Sequence, residues 1–571
     1  MKLLVLFHLL FLFYSCAHLH DSGNGLDPSD IVYTFEPKTE GESSYLLITV
    51  KFRGDADGVT RVNLPTKWAG QTELYKETRN LQIIQEGQKL EPVSNAPGTF
   101  EIKHRPSLMI TITYELYQSW KGEINEENYY RPLFDKCYFH IIGFAGLLMP
   151  DWDGDKKINI SFVWKNLPKN WAIANSFGVN EKEQTIVSSL GEIQKAIYVA
   201  GDFEIKKIII SNNPVYVAIR GKWKFDTNEF YDLIGKTIKA DREFWNDFDF
   251  PFFLITMIPM DEKQGNKGGT GLTNSFALFS SKDTNKVSGF VFLLMHEYFH
   301  TWNGVKIKRE EPEELVYWFS EGFTNYYTNL LNLRAGIISL ADYVELINKS
   351  LKKYYFSPVI NESNERILKD FWNDKNVEKL PYQRGEFLAL NWNAAIKKVS
   401  DYSLDNVMKD ILSEAIQKGT LVSGKVVDRI IRSYLKDGVL NDLELYIEKG
   451  NTISPSPLGL GHCVSLNYVK AHKYDLGFDF VKSRQNKIVM GVAKSGAAYK
   501  AGLRDGQVLR SWSVWTDKID EPTEMVIGKS KKEEKIIKYY PVGSAEVDIP
   551  QYVLDTDKFE KDANQCLAWF R

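Results

Sequence analysis

The sequence predicts a multidomain α+β protein, because three stretches with different hydrophobic patterns follow one another along the chain. In the first stretch, residues 29–225, short β-branched and aromatic runs alternate with turn residues, which is typical of strands. From Asp226 to about residue 450, apolar residues recur at helical spacing. After residue 458, strand-like runs with glycine turns return. A chain of 571 residues is long enough for several domains of ordinary size.

The boundaries between domains are predicted from these changes of pattern. The strand-like runs of the first stretch lie at 45–52, 108–116, 158–164, 207–211 and 214–223. Asp226, with Glu229 three residues later, is typical of a helix N-terminus. The helical pattern that follows is broken by one strand-like run, at 252–258. These changes predict an all-β domain at 29–225, a mostly helical region at 226–457 and a last domain at 458–571.

The N-terminus has the pattern of an export signal. Lys2 precedes a mostly apolar run, 3–14, that is too short to cross a bilayer as a helix. Two interpretations of its cleavage stay open. Residues 13–16 resemble a bacterial lipobox that ends at Cys16, which would then be lipidated, whereas Ser15-Cys16-Ala17 fits ordinary signal peptidase. We expect a signal peptide at 1–16 and a protein of the periplasm or cell envelope, with the membrane contacted only through a lipid anchor.

The net charge and the cysteine content restrict the classes of protein that the sequence can represent. The formal net charge is −3, without the basic excess of a nucleic-acid-binding protein, so no nucleic-acid partner is expected. Beyond Cys16 the chain has Cys137, Cys463 and Cys566. Three cysteines are not a disulfide framework, and no pair has zinc-finger spacing. One bridge between Cys463 and Cys566, which bracket the last domain, stays open.

The most informative motif is H-E-x-x-H, from His296 to His300, after an apolar stretch suited to a buried helix. Histidines at i and i+4 stand on one face of a helix, so both rings can reach one metal ion. Glu297 leans toward the same side and can act as the base that takes a proton from water. The pattern also arises by chance as a buried histidine pair, so a third ligand is needed to distinguish a metal site from such a pair.

A third ligand is predicted at Glu321, within a second helical run from about 314 to 330. The twenty residues between His300 and Glu321 allow a turn and a returning helix. Two histidines and one carboxylate leave a coordination position open, which is the catalytic rather than the structural arrangement. The alternative is a solvated helix residue, which the apolar neighbours disfavour. Thr324 or Asn325 is predicted to orient a ligand histidine by a hydrogen bond.

The two motifs together resemble a known family. H-E-Y-F-H-T-W-N at 296–303 and W-F-S-E-G-F-T-N-Y-Y at 318–327 are similar to the glycyl aminopeptidase family of gluzincin zinc metallopeptidases. The resemblance implies a β-rich N-terminal domain at 29–225, a thermolysin-like α/β catalytic domain at 226–345, a helical domain at 346–457 and a C-terminal PDZ domain at 458–571. It also implies one zinc ion per chain and a peptide substrate.

A further catalytic residue, Tyr382, is assigned by the same resemblance. The segment P-Y-Q-R-G at 381–385 is similar to the Y-x-[KR]-G segment in which this clan places a tyrosine beside the metal. A phenol there can donate a hydrogen bond to the oxyanion of the tetrahedral intermediate. Without the resemblance, Tyr382 would be interpreted as a core aromatic residue.

The glycine-rich segment K-G-G-T-G-L-T-N-S at 267–275 departs from the family pattern. It stands where the family usually has G-G-L-E-H-x-x-S, so Gly268, Gly269 and Gly271 are expected on an edge strand along which a peptide substrate pairs. Gly271 replaces the glutamate that would bind the free amine of the substrate. Apart from the resemblance, the segment would be a simple turn. Aminopeptidase specificity is therefore open.

The last domain resembles a PDZ domain in two segments, D-L-G-F at 475–478 and S-G-A-A-Y-K-A-G-L-R-D-G-Q at 495–507. The resemblance implies that backbone N–H groups of Leu476, Gly477 and Phe478 hold a peptide carboxylate. It also implies that an extended peptide, such as a C-terminus, binds by strand addition.

The predicted function is an exported zinc metallopeptidase, related to aminopeptidases, that hydrolyses peptide bonds with metal-activated water. One alternative is an endopeptidase or a peptidase of blocked peptides, because the amine-binding glutamate is missing. An alternative of another class is a peptide-binding or chaperone-like protein that uses the PDZ groove.

Overall fold

The computed structural model describes residues 29–261, 266–515 and 518–571. The predicted signal peptide and Cys16 lie outside the described residues. The chain divides into a first unit, which continues to Gly122 and includes Glu127–Phe203, and a second unit of Glu123–Glu126 and Glu204–Arg571. The division therefore falls after Phe203, about twenty residues before the predicted boundary at residue 225.

The first unit is a β domain with one short helix. Its strands are β1 (Ile31–Glu40), β2 (Ser43–Arg53), β3 (Val59–Asn63), β4 (Lys67–Trp68), β5 (Gln71–Thr72), β6 (Thr78–Gln85), β7 (Gln88–Leu90), β8 (Val93–Ala96), β9 (Thr99–Lys103), β10 (Met109–Tyr117), β11 (Leu133–Phe134), β12 (Tyr138–Ile142), β13 (Met149–Pro150), β14 (Ile158–Trp164), β15 (Ala172–Asn175), β16 (Gly178–Val179), β17 (Glu183–Ser188) and β18 (Ile197–Gly201). The helix α1 (Leu190–Gln194) begins at Ser189, which forms a capping box with Glu192.

Most of these strands form three sheets that share one apolar core. The strand orders are β17-β14-β1-β2-β10-β6-β7, β11-β12-β18-β15-β16 and β13-β3-β9-β8. Strand β10 shows the two-residue period clearly, because Ile110, Ile112, Tyr114 and Leu116 are fully buried while the residues between them are partly exposed. The prediction of an N-terminal β domain is confirmed.

The second unit contains the remaining elements. Its strands are β19 (Glu204–Ile210), β20 (Asn213–Ile219), β21 (Phe253–Met260), β22 (Lys267–Leu272), β23 (Ser275–Ser281), β24 (Val464–Tyr474), β25 (Leu509–Ser513), β26 (Thr523–Ile527), β27 (Lys535–Tyr539) and β28 (Val542–Leu554). Its helices are α2 (Thr227–Trp245), α3 (Val291–Phe299), α4 (Tyr317–Arg334), α5 (Leu340–Phe356), α6 (Asn364–Asp370), α7 (Lys375–Val399), α8 (Leu404–Lys418), α9 (Gly424–Ile431), α10 (Leu440–Asp442), α11 (Phe480–Asn486), α12 (Ala497–Lys500), α13 (Thr556–Lys561) and α14 (Ala563–Ala568).

The largest of the three sheets described in this unit has the order β19-β20-β21-β23-β22; the others are β24-β28 and β25-β26-β27. Strands β20, β21 and β23 are parallel, whereas β19 and β22 are antiparallel to their neighbours. The pattern of β19 and β20 was interpreted as part of the N-terminal domain, but β20 pairs with β21. Strand pairing depends on residues that are distant in sequence, so a period-two pattern predicts a strand without showing which sheet it joins.

The helices of the second unit contribute to one large apolar core. This core reaches from Ile210 to Phe570 and includes residues of α2 to α9. Neither of the predicted boundaries within this unit, at 345/346 and 457/458, separates a compact unit of its own.

The last predicted domain is made of two parts. Strands β24 and β28 pair with each other, and their residues Val464 and Tyr552 belong to the large core. A separate small core lies in the chain between these strands and includes Val489, Leu503 and Met525. The PDZ-like segments fall in this inserted part.

The bridge that the sequence left open is present, since Cys463 and Cys566 form a disulfide with their Cα atoms 5.5 Å apart. It joins the start of β24 to α14. Cys137 is exposed and free. Within the described parts of the chain, no helix has both the length and the apolar character needed to cross a membrane.

Candidate active site

Helix α3 carries the H-E-x-x-H motif and is mostly buried, as its apolar composition predicts. Residues Leu294 and Met295 lie in the core, and His296 is 7% exposed. The helix continues into a π-helical turn, Thr301–Lys306, that is interrupted at Gly304. Gly304 has φ of +148°, a conformation that side chains disfavour, so the chain can turn back at this point.

The turn after α3 orients one of the histidines. The carbonyl of Asn303 lies 2.9 Å from Nδ1 of His300 and can accept its hydrogen. In the neutral ring, this bond leaves Nε2 with the free lone pair that a metal ligand requires. The amide of Asn303 in turn donates to the carbonyl of Ser320 and to Oγ1 of Thr324 on α4. Thr324 therefore acts on the ligand histidine indirectly, through Asn303.

Three potential ligand atoms converge between α3 and α4. Nε2 of His296 and Nε2 of His300 are 3.1 Å apart. Oε2 of Glu321 lies 3.5 Å from the first nitrogen and 3.2 Å from the second. Ligands about 2.0–2.1 Å from a tetrahedral zinc ion are separated by about 3.3–3.4 Å. The three side chains therefore fit a zinc ion without rearrangement, and they are the metal-binding cluster found among the described residues.

The electrostatics of the cluster also favour a cation at its centre. Burial opposes the charge of Glu321, but the two histidines outweigh this effect and hold the pKa of its carboxyl well below the usual range. Burial lowers the pKa of His300, but the neighbouring Glu321 carboxylate raises it to about 9. The carboxylate is thus ionised and attracts positive charge. Nδ1 of His296 is buried and has no partner among the described residues.

Glu297 lies between the histidines and the glycine-rich strand. The N–H of Gly271 lies 3.3 Å from Oε2 of Glu297 and donates to it. Burial raises the pKa of Glu297, while the neighbouring histidines lower it. The bond from β22 holds this carboxylate next to the cluster of His296, His300 and Glu321, of which Glu297 is not a member.

Tyr382 reaches the site from helix α7. Its ring lies 6.3 Å from the ring of His296. Burial raises its pKa well above the ordinary value, and the carboxylates of Glu321 and Glu297 add to this increase. The phenol therefore stays protonated at physiological pH and can donate a hydrogen bond.

The position of Tyr382 depends on a close crossing of α4 and α7. At Gly385, a Cβ atom would lie 1.7 Å from the carbonyl oxygen of Trp318 and 2.7 Å from Cα of Gly322. The glycines let the two helix backbones touch. Because Gly322 follows Glu321 and Gly385 lies three residues after Tyr382, this contact brings the third ligand and the phenol together.

Strand β22 is at the edge of its sheet among the strands that the structure describes, as expected for the substrate strand. A Cβ atom at Gly271 would meet Glu297 at 3.5 Å or more, so a side chain there has room beside the base. Asp261 and Glu262 are the acidic residues that precede β22 in the sequence, and either could replace the missing carboxylate, but Asp261 pairs with Lys282 at 2.7 Å. This pair is at the opposite end of β23 from the residue that faces Gly271. Glu262 lies outside the described residues.

The loop predicted to bind a carboxylate, Leu476 to Phe478, is engaged by its own chain. The N–H of Gly477 donates to Oδ1 of Asp475, and the carbonyl of Leu476 accepts from Tyr539. Helix α11, and not a strand, follows the loop. An edge for strand addition is therefore not formed directly after this loop, and the peptide-binding role remains a prediction.

Several residues that shape the site were not singled out from the sequence. No role was predicted for Asn303, although an amide three residues after the motif is a signal for a partner of the metal ligands. The pair of Gly322 and Gly385 was visible as glycines inside helical patterns, which usually indicate close packing. Asn325, by contrast, has a buried Oδ1 without a partner among the described residues, and makes no bond to a ligand histidine there.

The fold and the site together define a chain with a β domain, a mixed sheet and helices that present two histidines and a carboxylate to one point. A family model described as M61 glycyl aminopeptidase matches residues 289–375. This span contains the three ligand candidates and Glu297, but neither β22 nor Tyr382. No curated protein matches the chain at a significant level.

Solved structures extend the likeness of the fold to almost the whole chain. An aminopeptidase N family protein from Idiomarina loihiensis is 15% identical, with a TM-score of 0.69 over 95% of this chain and 100% of that one. An M1 zinc metallopeptidase from Deinococcus radiodurans is 14% identical, with a TM-score of 0.48 over 76% of this chain and 96% of that one. The first likeness confirms a multidomain α+β architecture with an N-terminal β domain and a helical region.

Proposed function

We propose that this protein is a zinc metallopeptidase of the gluzincin type, related to glycyl aminopeptidases, which binds one zinc ion through His296, His300 and Glu321. The proposal rests chiefly on the spacing of the three ligand atoms, 3.1–3.5 Å, with Glu297 beside them. The family likeness of residues 289–375 supports it.

Different residues of the chain carry out different steps of hydrolysis. Zinc, when bound, supplies a Lewis acid that polarises the substrate carbonyl and acidifies water. Glu297 accepts a proton from the attacking water and passes it to the leaving amine. Tyr382 donates a hydrogen bond to the developing oxyanion. The edge of β22 pairs with the extended substrate, so that the scissile bond lies over Glu297.

Metal analysis of purified variants tests the proposal. Glu321→Ala and His296→Ala should lose zinc, because two ligands hold a catalytic zinc ion weakly. Glu297→Gln should keep zinc and lose about a hundredfold or more in turnover. Glu345→Ala, which removes an exposed glutamate of α5, is the control and should change neither. Full zinc occupancy in Glu321→Ala would show that the third ligand is wrong.

The same site supports a second candidate activity, cleavage of peptides whose N-terminus is blocked or internal. Gly271 has no carboxylate, and Asp261 is held by Lys282. A charge-assisted hydrogen bond to the substrate amine is worth about 1.5–3 kcal/mol, or roughly 10- to 150-fold. We therefore expect N-acetylated and free peptides to be cut at comparable rates, and Gly271→Glu to favour free amines. A preference above about a hundredfold for the free amine in the wild type would exclude this activity.

We also propose that the protein is exported, on the N-terminal pattern and on the Cys463–Cys566 disulfide, a bond that persists in oxidising compartments. N-terminal sequencing of the mature protein and membrane fractionation of Cys16→Ala test the two cleavage interpretations. A soluble wild type that begins at His18 would exclude the lipid anchor.

A further inference from the structure

The two histidines of the ligand cluster are held in different ways. Nδ1 of His300 lies 2.9 Å from the carbonyl oxygen of Asn303. Nδ1 of His296 is buried, and no group of the described residues accepts a hydrogen bond from it. A histidine that binds a metal is normally oriented by such a bond, which fixes both the ring and the position of its hydrogen. The orientation of His296 must therefore come from another kind of contact.

The His296 ring needs such a contact because rotation about its Cβ–Cγ bond is only weakly restricted. This torsion has broad wells, unlike the torsions between two tetrahedral carbons. Rotation changes the direction of the Nε2 lone pair, which must point to the place that is shared with Oε2 of Glu321, 3.5 Å away. A functional site tolerates displacements of only about 0.5 Å or 10–20°.

Two aromatic rings lie nearly parallel to the ring of His296. The ring centre of Phe292 is 5.5 Å away, with an angle of 23° between the planes. The ring centre of Tyr382 is 6.3 Å away, at an angle of 20°. Both distances are within the range, about 4.5–7 Å, over which aromatic pairs attract each other. Rotation of the imidazole would end both parallel contacts, so they favour the observed orientation.

The place of Phe292 is set by helix α3 itself. Phe292 precedes His296 by four residues and therefore lies one turn earlier on the same face of the helix. Long side chains of a helix lean toward its N-terminus, so the imidazole lies over position 292. The Phe292 side chain is 42% exposed, whereas Leu294 and Met295 hold α3 in the core. A substitution of Phe292 therefore leaves the packing of the helix in place.

We propose that Phe292 is a positioning residue for His296, whose ring it orients by stacking, in place of the hydrogen bond that orients His300. This inference rests on the proposed zinc peptidase function and adds a residue that acts on the metal only through a ligand. An aromatic pair contributes about 0.5–1.5 kcal/mol beyond the burial of its area. At about 1.4 kcal/mol for each factor of ten, this contribution corresponds to about 2- to 12-fold in zinc affinity.

The first measurement is the zinc affinity of the full-length protein, in competition with a chelator of known affinity. Phe292→Leu, which keeps an apolar side chain but removes the flat ring, should bind zinc about 2- to 12-fold more weakly. Phe292→Tyr keeps the ring and should bind zinc as the wild type does. Ile416→Ala removes a side chain of α8 that is 60% exposed, and is the control that should change nothing. Thermal unfolding of the zinc-free proteins should agree, which separates a change of the site from a loss of folding.

The second measurement is the visible absorption spectrum of the protein loaded with Co²⁺ instead of zinc, which depends on the geometry of the ligands. Phe292→Leu should shift the bands or change their intensity, whereas Phe292→Tyr and Ile416→Ala should not. An unchanged affinity and spectrum in Phe292→Leu would overturn the inference. An equal loss of affinity in Ile416→Ala would overturn it as well, because the effect would then not depend on contact with His296.

Peptide cleavage by the same proteins separates this inference from the function on which it rests. If peptides are cleaved but Phe292→Leu has the affinity and spectrum of the wild type, the inference is wrong and the peptidase function stands. If the zinc-loaded wild type cleaves no peptide, the peptidase function is wrong, and the affinities and spectra still decide whether Phe292 positions His296. A wild type that binds no zinc would overturn both.

Discussion

Replacing Gly385 with alanine should separate catalysis from metal binding. The added Cβ would lie 1.7 Å from the carbonyl oxygen of Trp318, whereas ordinary contacts are about 3.5 Å. Helices α4 and α7 must therefore move apart by about 1.5–2 Å. The proposed zinc ligands are on α3, directly after it and on α4, but Tyr382 is on α7, so the phenol should move away from an intact ligand cluster.

The size of the effect follows from that displacement. A misplacement of about 1 Å at a reacting group can cost about a hundredfold in rate, and overpacking of a close contact costs about 1–3 kcal/mol of stability. We expect Gly385→Ala to keep zinc, to lower kcat about a hundredfold and to unfold at a lower temperature. If the loss acts through the phenol, Tyr382→Phe combined with Gly385→Ala should be little worse than either change alone.

The assay combines zinc content, thermal unfolding and steady-state kinetics. Gly235→Ala in α2 is the matched control, because its Cβ would meet only Ile208 at 4.0 Å and should stabilise the helix by about 0.5–1 kcal/mol. Gly322→Ala, whose Cβ would lie 2.3 Å from Gly385, tests the same contact from the other helix. Wild-type stability and kcat in Gly385→Ala would refute the reasoning.

Three further outcomes are expected. Tyr382→Phe should lower kcat by roughly a hundredfold with little change in KM, and an unchanged kcat would make Tyr382 a core aromatic only. Burial raises the pKa of Glu386 to about 7 from an ordinary 4.5. Between these pH values the unfolded chain therefore binds fewer protons than the folded chain. The free energy of unfolding of the wild type should fall by on the order of 3 kcal/mol as the pH rises from about 4.5 to 7. Glu386→Gln should flatten that slope in chemical denaturation, and an unaltered slope would place its origin elsewhere. Cys463→Ser should cost about 2–4 kcal/mol in the oxidised protein and nothing under reducing conditions, while equal losses in both would argue against the bridge.

Local patterns carry most of what could be predicted. The three candidate ligands and Glu297 could be singled out because histidines at i and i+4 share a helix face whatever the rest of the fold does. The β domain and the helical region followed in the same way from periodicity and composition. Each of these features depends on residues that are close in sequence.

Other features depend on contacts between distant parts of the chain, which no local pattern contains. Strands β19 and β20 belong to the sheet of β21 because backbone pairing selects the partner. The second PDZ-like segment and the loop before α11 lie in a small core placed between β24 and β28. Helix α11 follows Phe478, and the side chain of Asp479 accepts a hydrogen bond from its N-terminal turn.

The same distinction, between what local sequence predicts and what distant contacts decide, holds for single residues of the candidate active site. The sequence by itself determined which side chains can bind zinc and which can act as the base, because their chemistry is intrinsic and their spacing is helical. Only the tertiary structure decided that Asn303 orients His300, that Gly271 holds Glu297, and that Gly322 and Gly385 bring α4 and α7 together. These contacts join residues on separate elements, and their existence depends on how the whole core packs around them.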